Sequence, residues 1–281
     1  MLVLMNGAKR SRTAQGVAAE RAALAGMGVL DDPFSRGMLT PSMRAVLWAV
    51  EHGPHRVRTR SVTLAGLAAR VLWFDAQVAG ALAAGIKQVA VLGAGYDSRA
   101  WRFRRGGVQF FELDHVATQQ DKRRRAPRPG PVYVESDLTT DDAAKSLLDH
   151  GLDPSQPTFF VIEGVTMYLG AEDVSRQLVL LAKMSAVGSR IALDFYPPAD
   201  VGTSQDHRQL RLQRLARTRS GESFRLALDR PQAVELVRAS GWEVAEATSM
   251  RDAARTLVTR DSGLPVDAVN EHKTLVAAAQ T

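Results

Sequence analysis

A pair of glycines ends the most distinctive apolar run of the chain. Residues 88–93 read Gln-Val-Ala-Val-Leu-Gly, and the segment continues through Gly95 to Ser98. Glycine at the carboxyl end of a central parallel strand lets the backbone approach a ligand where the strand order reverses. A dinucleotide-binding fingerprint needs a third glycine at position 98, so the serine there disfavours a nicotinamide cofactor. The alternative is a tight strand-to-helix turn that binds nothing.

Three later apolar runs end in acidic residues. Glu112 and Asp114 end the next run, where a carboxylate can accept both hydroxyls of a ribose, and Asp114 is favoured because it lies nearer the strand end. Asp137 could accept a hydrogen bond from the amino group of adenine, while Leu138 packs on the adenine ring. Glu163 follows Phe-Phe-Val-Ile, and a carboxylate there is costly to bury alone, so we expect it to hold a cationic group. A solvated strand end remains the alternative for Glu112 and Asp114.

Four successive strand ends therefore carry glycine, aspartate, aspartate and glutamate in that order. This is the layout of a class I S-adenosylmethionine (SAM) methyltransferase. That cofactor presents its ribose hydroxyls, its adenine amine and its α-ammonium group to successive strand ends. The sequence predicts SAM as the cofactor and S-adenosylhomocysteine (SAH) as its product.

Apolar runs alternate with helical patterns, which predicts the elements that position these residues. Strands are expected at 88–93, 108–113, 132–135, 158–162, 190–195 and 243–248. Helices are expected at 14–24, 41–51, 62–84, 116–125, 141–150, 172–186 and 231–240. This alternation indicates an α/β fold with a Rossmann-like, doubly wound, mostly parallel seven-stranded sheet. The last apolar run, 274–279, is expected to form an edge strand.

The chain lacks internal repeats and low-complexity linkers, so we expect one methyltransferase domain over 1–281. Within it, 1–84 form an N-terminal helical annex, 85–196 the SAM-binding core, and 230–281 the C-terminal part of the core. Residues 197–229 are too many for a plain connection and indicate a cap insertion. We expect the annex and this insertion to cover the acceptor site together.

Several runs of the chain resemble one known family. They are ARVLWFD at 69–75, QVAVLGAGYDSRAWRF at 88–103, FELD at 111–114, Lys122, SDL at 136–138, and Glu163-Gly164 with Tyr168-Leu169. Together they resemble the leucine carboxyl methyltransferase family, which also contains the tetracenomycin polyketide O-methyltransferase. The resemblance is close over residues 70–200 and looser over 13–34. Residues 197–229 and the C-terminal third match no pattern of the family.

The resemblance implies a role for each matching residue. Arg70 would bind the SAM carboxylate, Gly93 and Gly95 would line the methionine moiety, Asp114 would hold the ribose, Asp137 and Leu138 the adenine, and Glu163 the α-amino group, with Tyr168 near the transferred methyl. The implied activity is O-methyl transfer to a carboxylate or hydroxyl of a small, polyketide-like metabolite. An NAD-dependent oxidoreductase on the same fold and a non-catalytic SAM-binding protein remain as alternatives.

A carboxylate is the favoured acceptor because it is already ionised at neutral pH, whereas a hydroxyl needs a general base. No convincing base accompanies Glu163 and Tyr168 in the sequence. His115 adjoins the ribose-binding strand end, and His207 lies in the unmatched insertion.

Composition excludes several other classes of function. The net charge is +6, and the whole excess lies in residues 1–70, where it would favour an anionic acceptor. Only 6% of residues are aromatic, so a nucleic-acid partner is not expected.

The chain has no cysteine, and its six histidines show no metal-ligand spacing, so we expect no metal and a cytoplasmic location. No apolar run approaches the roughly 20 residues needed to span a membrane, and 1–10 do not resemble a signal peptide. The sequence leaves the oligomeric state open.

Overall fold

A seven-stranded sheet forms the centre of the computed structural model, which describes residues 11–54, 58–199, 201 and 224–281. Its strands are β1 (Gln88–Leu92), β2 (Gln109–Asp114), β3 (Val132–Glu135), β4 (Thr158–Ile162), β5 (Arg190–Phe195), β6 (Glu243–Ser249) and β7 (Thr274–Ala279). They lie in the order β3-β2-β1-β4-β5-β7-β6, and β1 to β5 are parallel. The predicted fold class is confirmed. Each strand end lies within one residue of its prediction.

The last strand, β7, lies inside the sheet, so the expectation of an edge strand at 274–279 is wrong. It pairs antiparallel with β5 on one side and with β6 on the other. Its sequence, TLVAAA, is small or apolar at nearly every position, which suits a strand covered on both faces. The edge strand on this side of the sheet is β6, whose exposed Glu243 and Glu246 break the apolar pattern.

Helices cover both faces of the sheet. They are α1 (Arg12–Gly26), α2 (Pro41–His52), α3 (Val62–Ala83), α4 (Arg99–Arg102), α5 (Val116–Arg125), α6 (Ala143–Asp149), α7 (Ala171–Met184), α8 (Arg230–Ala239) and α9 (Met250–Leu257). The side chains of Ser11, Thr40 and Ser61 each accept the backbone N–H three residues on, which fixes where the first three helices begin. The seven predicted helices are present with ends shifted by no more than two residues. The sequence analysis missed α4 and α9.

Alternating side chains of the strands divide the core into two clusters. Val89 and Val91 of β1 face α1, α3 and α9, while Ala90 and Leu92 face α6, α7 and α8. The second cluster contains Trp242, which packs edge-on against Phe160. Both faces of the sheet are therefore dry, and the strand ends are the places where polar side chains can meet a ligand.

Helix α3 is long and apolar enough to cross a membrane by length and composition alone. It has 22 residues, and an 18-residue window within it has a mean hydropathy of 1.2, so the expectation that no apolar run approaches this length is wrong. Its apolar side chains pack into the core, and it carries Arg70 and Asp75, both of which form ion pairs. A core helix passes the same test of composition, and this packing accounts for α3.

The predicted domain division stays a prediction. Helices α1, α2 and α3 form the annex expected over residues 1–84. Most of the expected cap insertion at 197–229, with His207, lies outside the described residues, as do residues 1–10.

Candidate active site

The loop after β1 carries two glycines in a backbone conformation that other residues adopt only at a cost. Gly93 has φ 67° and Gly95 has φ 50°. A Cβ on Gly93 would overlap the side chain of Val165, and one on Gly95 would lie 3.0 Å from the Cβ of Ala14 in α1. Both glycines are therefore required by close packing, and α1 lies directly against the loop.

Asp114 closes β2 and is tied to the glycine loop. Its Oδ2 accepts the N–H of Gly95 at 2.6 Å, and its Oδ1 accepts the N–H of His115 at 2.7 Å. Burial raises the pKa of Asp114 above its ordinary value, although these two hydrogen bonds oppose the effect. The carboxylate stands at the strand end and remains partly exposed. It lies where the sequence analysis placed the ribose contact.

Glu112, the other acid of β2, belongs to the core. It is fully buried and pairs with Lys122 of α5. Burial raises its pKa to about 7 despite the nearby ammonium group. The choice of Asp114 over Glu112 for the ribose therefore agrees with what each side chain can reach.

The acid after β3 lies at the next strand end. Asp137 is partly exposed, and its Oδ1 accepts the N–H of Thr139 at 2.9 Å and the hydroxyl of the same residue at 2.7 Å. Leu138 is buried in the second core cluster, and its carbonyl accepts from Gln177 of α7 at 2.9 Å. Asp137 is positioned for a ligand, whereas Leu138 packs mainly against protein. Their assignment to adenine stays a prediction.

Glu163, at the end of β4, lies between two guanidinium groups. Arg70 Nε donates to its Oε1 at 3.0 Å, and Arg99 Nη1 lies 2.7 Å from its Oε2. Burial alone would raise the pKa of Glu163, but the charges of Arg99 and Arg70 outweigh it and hold the pKa below its ordinary value. Oε2 is buried and accepts no well-aligned hydrogen bond within the described part of the chain. An ionised, incompletely bonded carboxylate fits a cationic ligand group.

Arg70 projects from α3 toward the same place. Its Nε contacts Glu163, as described above. Its Nη1 lies 3.8 Å from Asp194 Oδ2 and donates to the hydroxyl of Tyr196 at 3.5 Å. The structure thus brings together the two residues assigned to the amino-acid end of the cofactor, and pairs them with each other. Gly164, with φ 69°, leaves the room that the guanidinium occupies, since a Cβ there would lie 3.3 Å from Arg70 Nη1.

A buried network of charged residues supports Glu163, and the sequence analysis missed it. Arg99 Nε donates to Asp75 at 2.7 Å, and its Nη1 donates to Asp97 at 2.5 Å. Arg102 also pairs with Asp75, and it donates to Ser98 Oγ at 2.8 Å. Asp75, Arg99 and Arg102 appear in the family-like runs, but sequence alone gave them no partner. The signal that could have revealed them is a set of charges inside otherwise apolar segments.

Helix α1 joins this network through Arg21. Its Nη2 donates to Ser98 Oγ at 2.7 Å, and its Nε donates to Asp32 Oδ2 at 3.0 Å. Asp32 also accepts the backbone N–H of Ser35 at 3.1 Å, which forms the turn predicted around Asp32. The N-terminal annex is therefore bonded to the position where a dinucleotide fingerprint would need glycine. Ser98 is fully buried between two arginines. The third glycine that a nicotinamide dinucleotide fingerprint needs is therefore replaced by a serine that is bonded within the protein.

A cavity opens beside Arg70 and Gly164. Its lining comes from α1, from the start of α3, from the turn that holds Tyr168, from Tyr196 and Phe224, from α9, and from the segment before β7. Phe224 packs edge-on against both Tyr168 and Tyr196, at 5.8 and 5.3 Å between ring centroids. Tyr168 thus lines this cavity, and its assignment to the neighbourhood of the transferred methyl stays a prediction. The sequence analysis did not foresee the contributions of Glu20, Asn270 and Lys273.

The donor set fits SAM on grounds internal to the structure. The carboxylate of Asp114 meets the glycine loop, and Glu163 offers a buried oxygen without a full set of hydrogen bonds. Arg70 supplies a cation at the same point. A zwitterionic amino-acid group attached to a nucleoside matches this combination of charges.

Comparison with known proteins gives a consistent result. The family model described as leucine carboxyl methyltransferase matches residues 12–182. Relatives from Mycolicibacterium smegmatis and Mycobacterium avium are provisionally named S-adenosyl-L-methionine-dependent methyltransferases. The first is 32% identical over 276 residues, covering 86% of this chain and 84% of the relative, and the second 31% over 284 residues, covering 90% and 86%. A Parafrankia relative of the same name is 39% identical over 135 residues, and the chain spans less than half of that protein's length (43%).

Solved structures support the fold. A DUF574 family protein from Streptomyces avermitilis matches with a TM-score of 0.61 at 16% identity, over 95% of this chain and 97% of the other. The magnesium protoporphyrin IX methyltransferase of Synechocystis, crystallised with SAH, matches with a TM-score of 0.50 at 15% identity, over 83% and 92%. The seven-stranded α/β architecture is thus one that binds SAH in another protein.

Proposed function

Because the chain belongs to the leucine carboxyl methyltransferase family and is a SAM-dependent methyltransferase, we propose that it transfers the methyl group to an oxygen atom of a small acceptor. The acceptor oxygen is a carboxylate, with a hydroxyl as the second candidate. A polyketide-like acceptor is what the resemblance in the sequence implies. The observation that carries the proposal is the cavity beside Arg70, Gly164 and Tyr168.

The cofactor supplies a methyl group already activated on a sulfonium. The chain's own task is to bind, align and exclude water. Asp114 and Asp137 would hold the nucleoside end, while Arg70 and Glu163 would hold the carboxylate and ammonium of the amino-acid end. Gly93 and Gly95 would line the methionine moiety between these two ends. Tyr168 would border the methyl group from the acceptor side.

The cavity suits an acceptor with an apolar body. Val17, Leu67 and Met167 line it together with the aromatic rings of Tyr196 and Phe224. Helix α1 contributes one wall, so the annex shields the reacting atoms from water as well as covering the glycine loop. An acceptor bound here would have its reactive end toward Arg70 and Gly164.

A carboxylate acceptor needs no proton transfer. Its oxygen forms the new bond to the methyl carbon, the carbon–sulfur bond breaks, and the electron pair stays on sulfur. The products are a methyl ester and SAH. Lys273 gives this cavity a cationic wall. A hydroxyl acceptor would have to lose a proton, and Glu20 is the only carboxylate among the described lining residues.

The test is the chemical nature of the product. The protein is given SAM with a radiolabelled methyl group and a panel of aromatic and polyketide-like acids and phenols, and labelled products are treated with mild base. Release of labelled methanol supports a methyl ester. A base-stable label on an acceptor hydroxyl supports the second candidate and makes Glu20→Gln the variant to examine. Label on nitrogen or carbon would refute O-methyl transfer.

A further inference from the structure

The segment between α9 and β7 places in the cavity an amide donor that has no partner within the described part of the chain. Asn270 lines the cavity and is 2% exposed. Its Oδ1 accepts the backbone N–H of His272 at 2.8 Å, which identifies the oxygen and the nitrogen of the amide. Its Nδ2 has no hydrogen-bond partner among the described residues. A buried donor left in this state costs free energy unless a ligand accepts from it.

Lys273 stands three residues further along the same segment. It also lines the cavity, it is 8% exposed, and its Nζ lies 4.3 Å from the centroid of the Tyr196 ring. The aromatic face stabilises the ammonium group and fixes its direction. Asp194 lies close enough for Lys273 to lower its pKa, against the rise that burial causes. Lys273 therefore sits at the boundary between the cavity and the buried carboxylates.

These two residues differ in position from those assigned to the cofactor. The cofactor set follows the carboxyl ends of β1 to β4 and includes Arg70 on α3, whereas Asn270 and Lys273 precede β7. Both sets meet at the cavity, because Arg70 and Gly164 line it as well. A ligand in the cavity can therefore contact both sets at once, since Lys273 and Arg70 both lie beside Tyr196.

We propose that Asn270 and Lys273 form the subsite that binds the anionic group of the acceptor. The inference rests on the proposed function and specifies it: the acceptor is a carboxylic acid on an aromatic or polycyclic body. The amide N–H and the ammonium group are both donors, and charge-assisted bonds to a carboxylate are the strong ones. The rings of Tyr168, Tyr196 and Phe224 provide the apolar surface for the body.

A purely structural role for Lys273 makes a different prediction. If Lys273 only neutralises Asp194, its loss would affect folding, cofactor binding and all acceptors alike. If it binds the acceptor, its loss would affect acids and spare uncharged analogues of the same shape. The pair 2-naphthoate and 2-naphthamide provides this comparison, because the two differ only in the charged group.

The experiment measures binding of both probes to the SAH-loaded protein by titration calorimetry. The variants are Asn270→Asp, which keeps the acceptor oxygen for His272 but removes the donor, Lys273→Met, and Lys273→Arg as the conservative exchange. Lys145→Met is the matched control, since Lys145 is exposed, lies outside the cavity lining and pairs with Asp149 of the same helix. Unfolding in urea confirms that each variant is folded.

We expect the wild type to bind 2-naphthoate at least tenfold more tightly than 2-naphthamide. Asn270→Asp and Lys273→Met should weaken naphthoate binding by at least tenfold, leave naphthamide and SAH binding unchanged, and raise KM more than they lower kcat for any acid that is methylated. Lys273→Arg should retain most of the preference, and Lys145→Met all of it.

The inference is overturned if the wild type does not distinguish the two probes, or if the variants weaken both probes equally. Failure of the proposed function would look different. In that case the radiolabel would appear on nitrogen or carbon, or on no member of the panel, while the tenfold preference for naphthoate and its loss in the variants would persist.

Discussion

Glu163 and Arg70 form a pair that a zwitterion can open without leaving a charge unpaired. In the structure the two side chains bond each other at 3.0 Å in a largely buried place. An ammonium group placed against Glu163 and a carboxylate placed against Arg70 exchange one ion pair for two. Separating a buried pair is otherwise strongly unfavourable. In the proposed assignment of Arg70 and Glu163, the contact selects for the complete amino-acid group of the cofactor over either charge alone.

Arg70→Ala should weaken SAH binding by about 1.5–3 kcal/mol, the range for hydrogen bonds to charged groups. Binding of 5′-methylthioadenosine, which lacks the amino-acid group, should change little. Arg70→Lys should recover only part of the loss because the planar fork is absent. Titration calorimetry with both ligands measures the difference. Equal effects on the two ligands would contradict the assignment of Arg70 to the carboxylate.

Asp114→Ala should weaken the binding of SAH and of 5′-methylthioadenosine to a similar extent, again by about 1.5–3 kcal/mol, because both ligands carry the ribose. The matched control is Glu135→Ala, at the end of the neighbouring strand, where the side chain is 42% exposed. Unchanged binding of both ligands to folded Asp114→Ala would show that another residue holds the ribose.

Asp194→Asn should change how stability depends on pH. Burial, against the opposing charge of Arg70, raises the pKa of Asp194 to about 6 from an ordinary value of 3.8. Between these values the folded chain holds a proton that the unfolded chain has lost, so this group's contribution to stability is full below pH 3.8 and is lost as the pH rises through about 6. The asparagine variant lacks this titration. Its free energy of unfolding in urea, relative to wild type, should increase from pH 4.5 to 7.5. A difference that stays flat or falls would contradict the raised pKa.

At the scale of elements, strands and helices were predictable because burial leaves a pattern of apolar residues in the sequence: short continuous runs for central strands and helical spacing for helices. The runs at 88–93 and 158–162 are apolar throughout, and both are central strands. The order of the strands in the sheet was harder to predict from the sequence, because the apolar run at 274–279 is compatible with a strand inside the sheet and with one at its edge. The placement of β7 depends on β6, whose exposed Glu243 and Glu246 make it the better edge.

The site was predictable only where residues follow strand ends. Gly95, Asp114 and Glu163 share that position, and topology alone brings them to one edge of the sheet. Asn270 and Lys273 lie far along the chain from these residues, and no local pattern links them to the cavity. The partners of Arg99 come from α3, from the glycine loop and from the end of β4, so they required the packing of those elements.

Gly93→Ala should destabilise the fold through the packing of the glycine loop on the turn after β4. The conformation at φ 67° costs about 1–3 kcal/mol for a residue with a Cβ, and the added methyl overlaps Val165. The double variant with Val165→Ala should recover the part that is due to overlap. Gly106→Ala is the control, because nothing lies within 4 Å of its Cβ position. Urea unfolding measures all three, and a Gly93→Ala variant as stable as Gly106→Ala would contradict this account.

At the scale of the whole molecule, the annex is held by charges as well as by apolar contacts. Arg21 is 4% exposed and connects α1 to Asp32 and to the buried Ser98. Ala18, Ala22 and other small side chains let α1 pack closely on the core. The same helix borders the glycine loop and the cavity, so its position determines whether both are closed.

Arg21→Met should leave the carboxylate of Asp32 buried without its main partner, at a cost of about 3–5 kcal/mol. Burial would raise the pKa of Asp32, and Arg21 is the largest influence that holds it below its ordinary value. Hydrogen exchange over Arg12–Gly26 should therefore increase more than exchange in the strands. Arg36→Met, whose side chain is 54% exposed, should leave exchange unchanged. Unaltered protection of α1 in Arg21→Met would contradict this anchoring.

The buried charges around Arg99 also bear on how the protein responds to heat. Water solvates ions less favourably as temperature rises, so the penalty for keeping these guanidinium and carboxylate groups dry becomes smaller, while the gain from apolar burial levels off. The ionic contacts of Arg99 with Asp75 and Asp97 thus gain weight relative to the apolar core on warming. On warming, the glycine loop should therefore lose less of its stabilisation than segments held by apolar contacts alone.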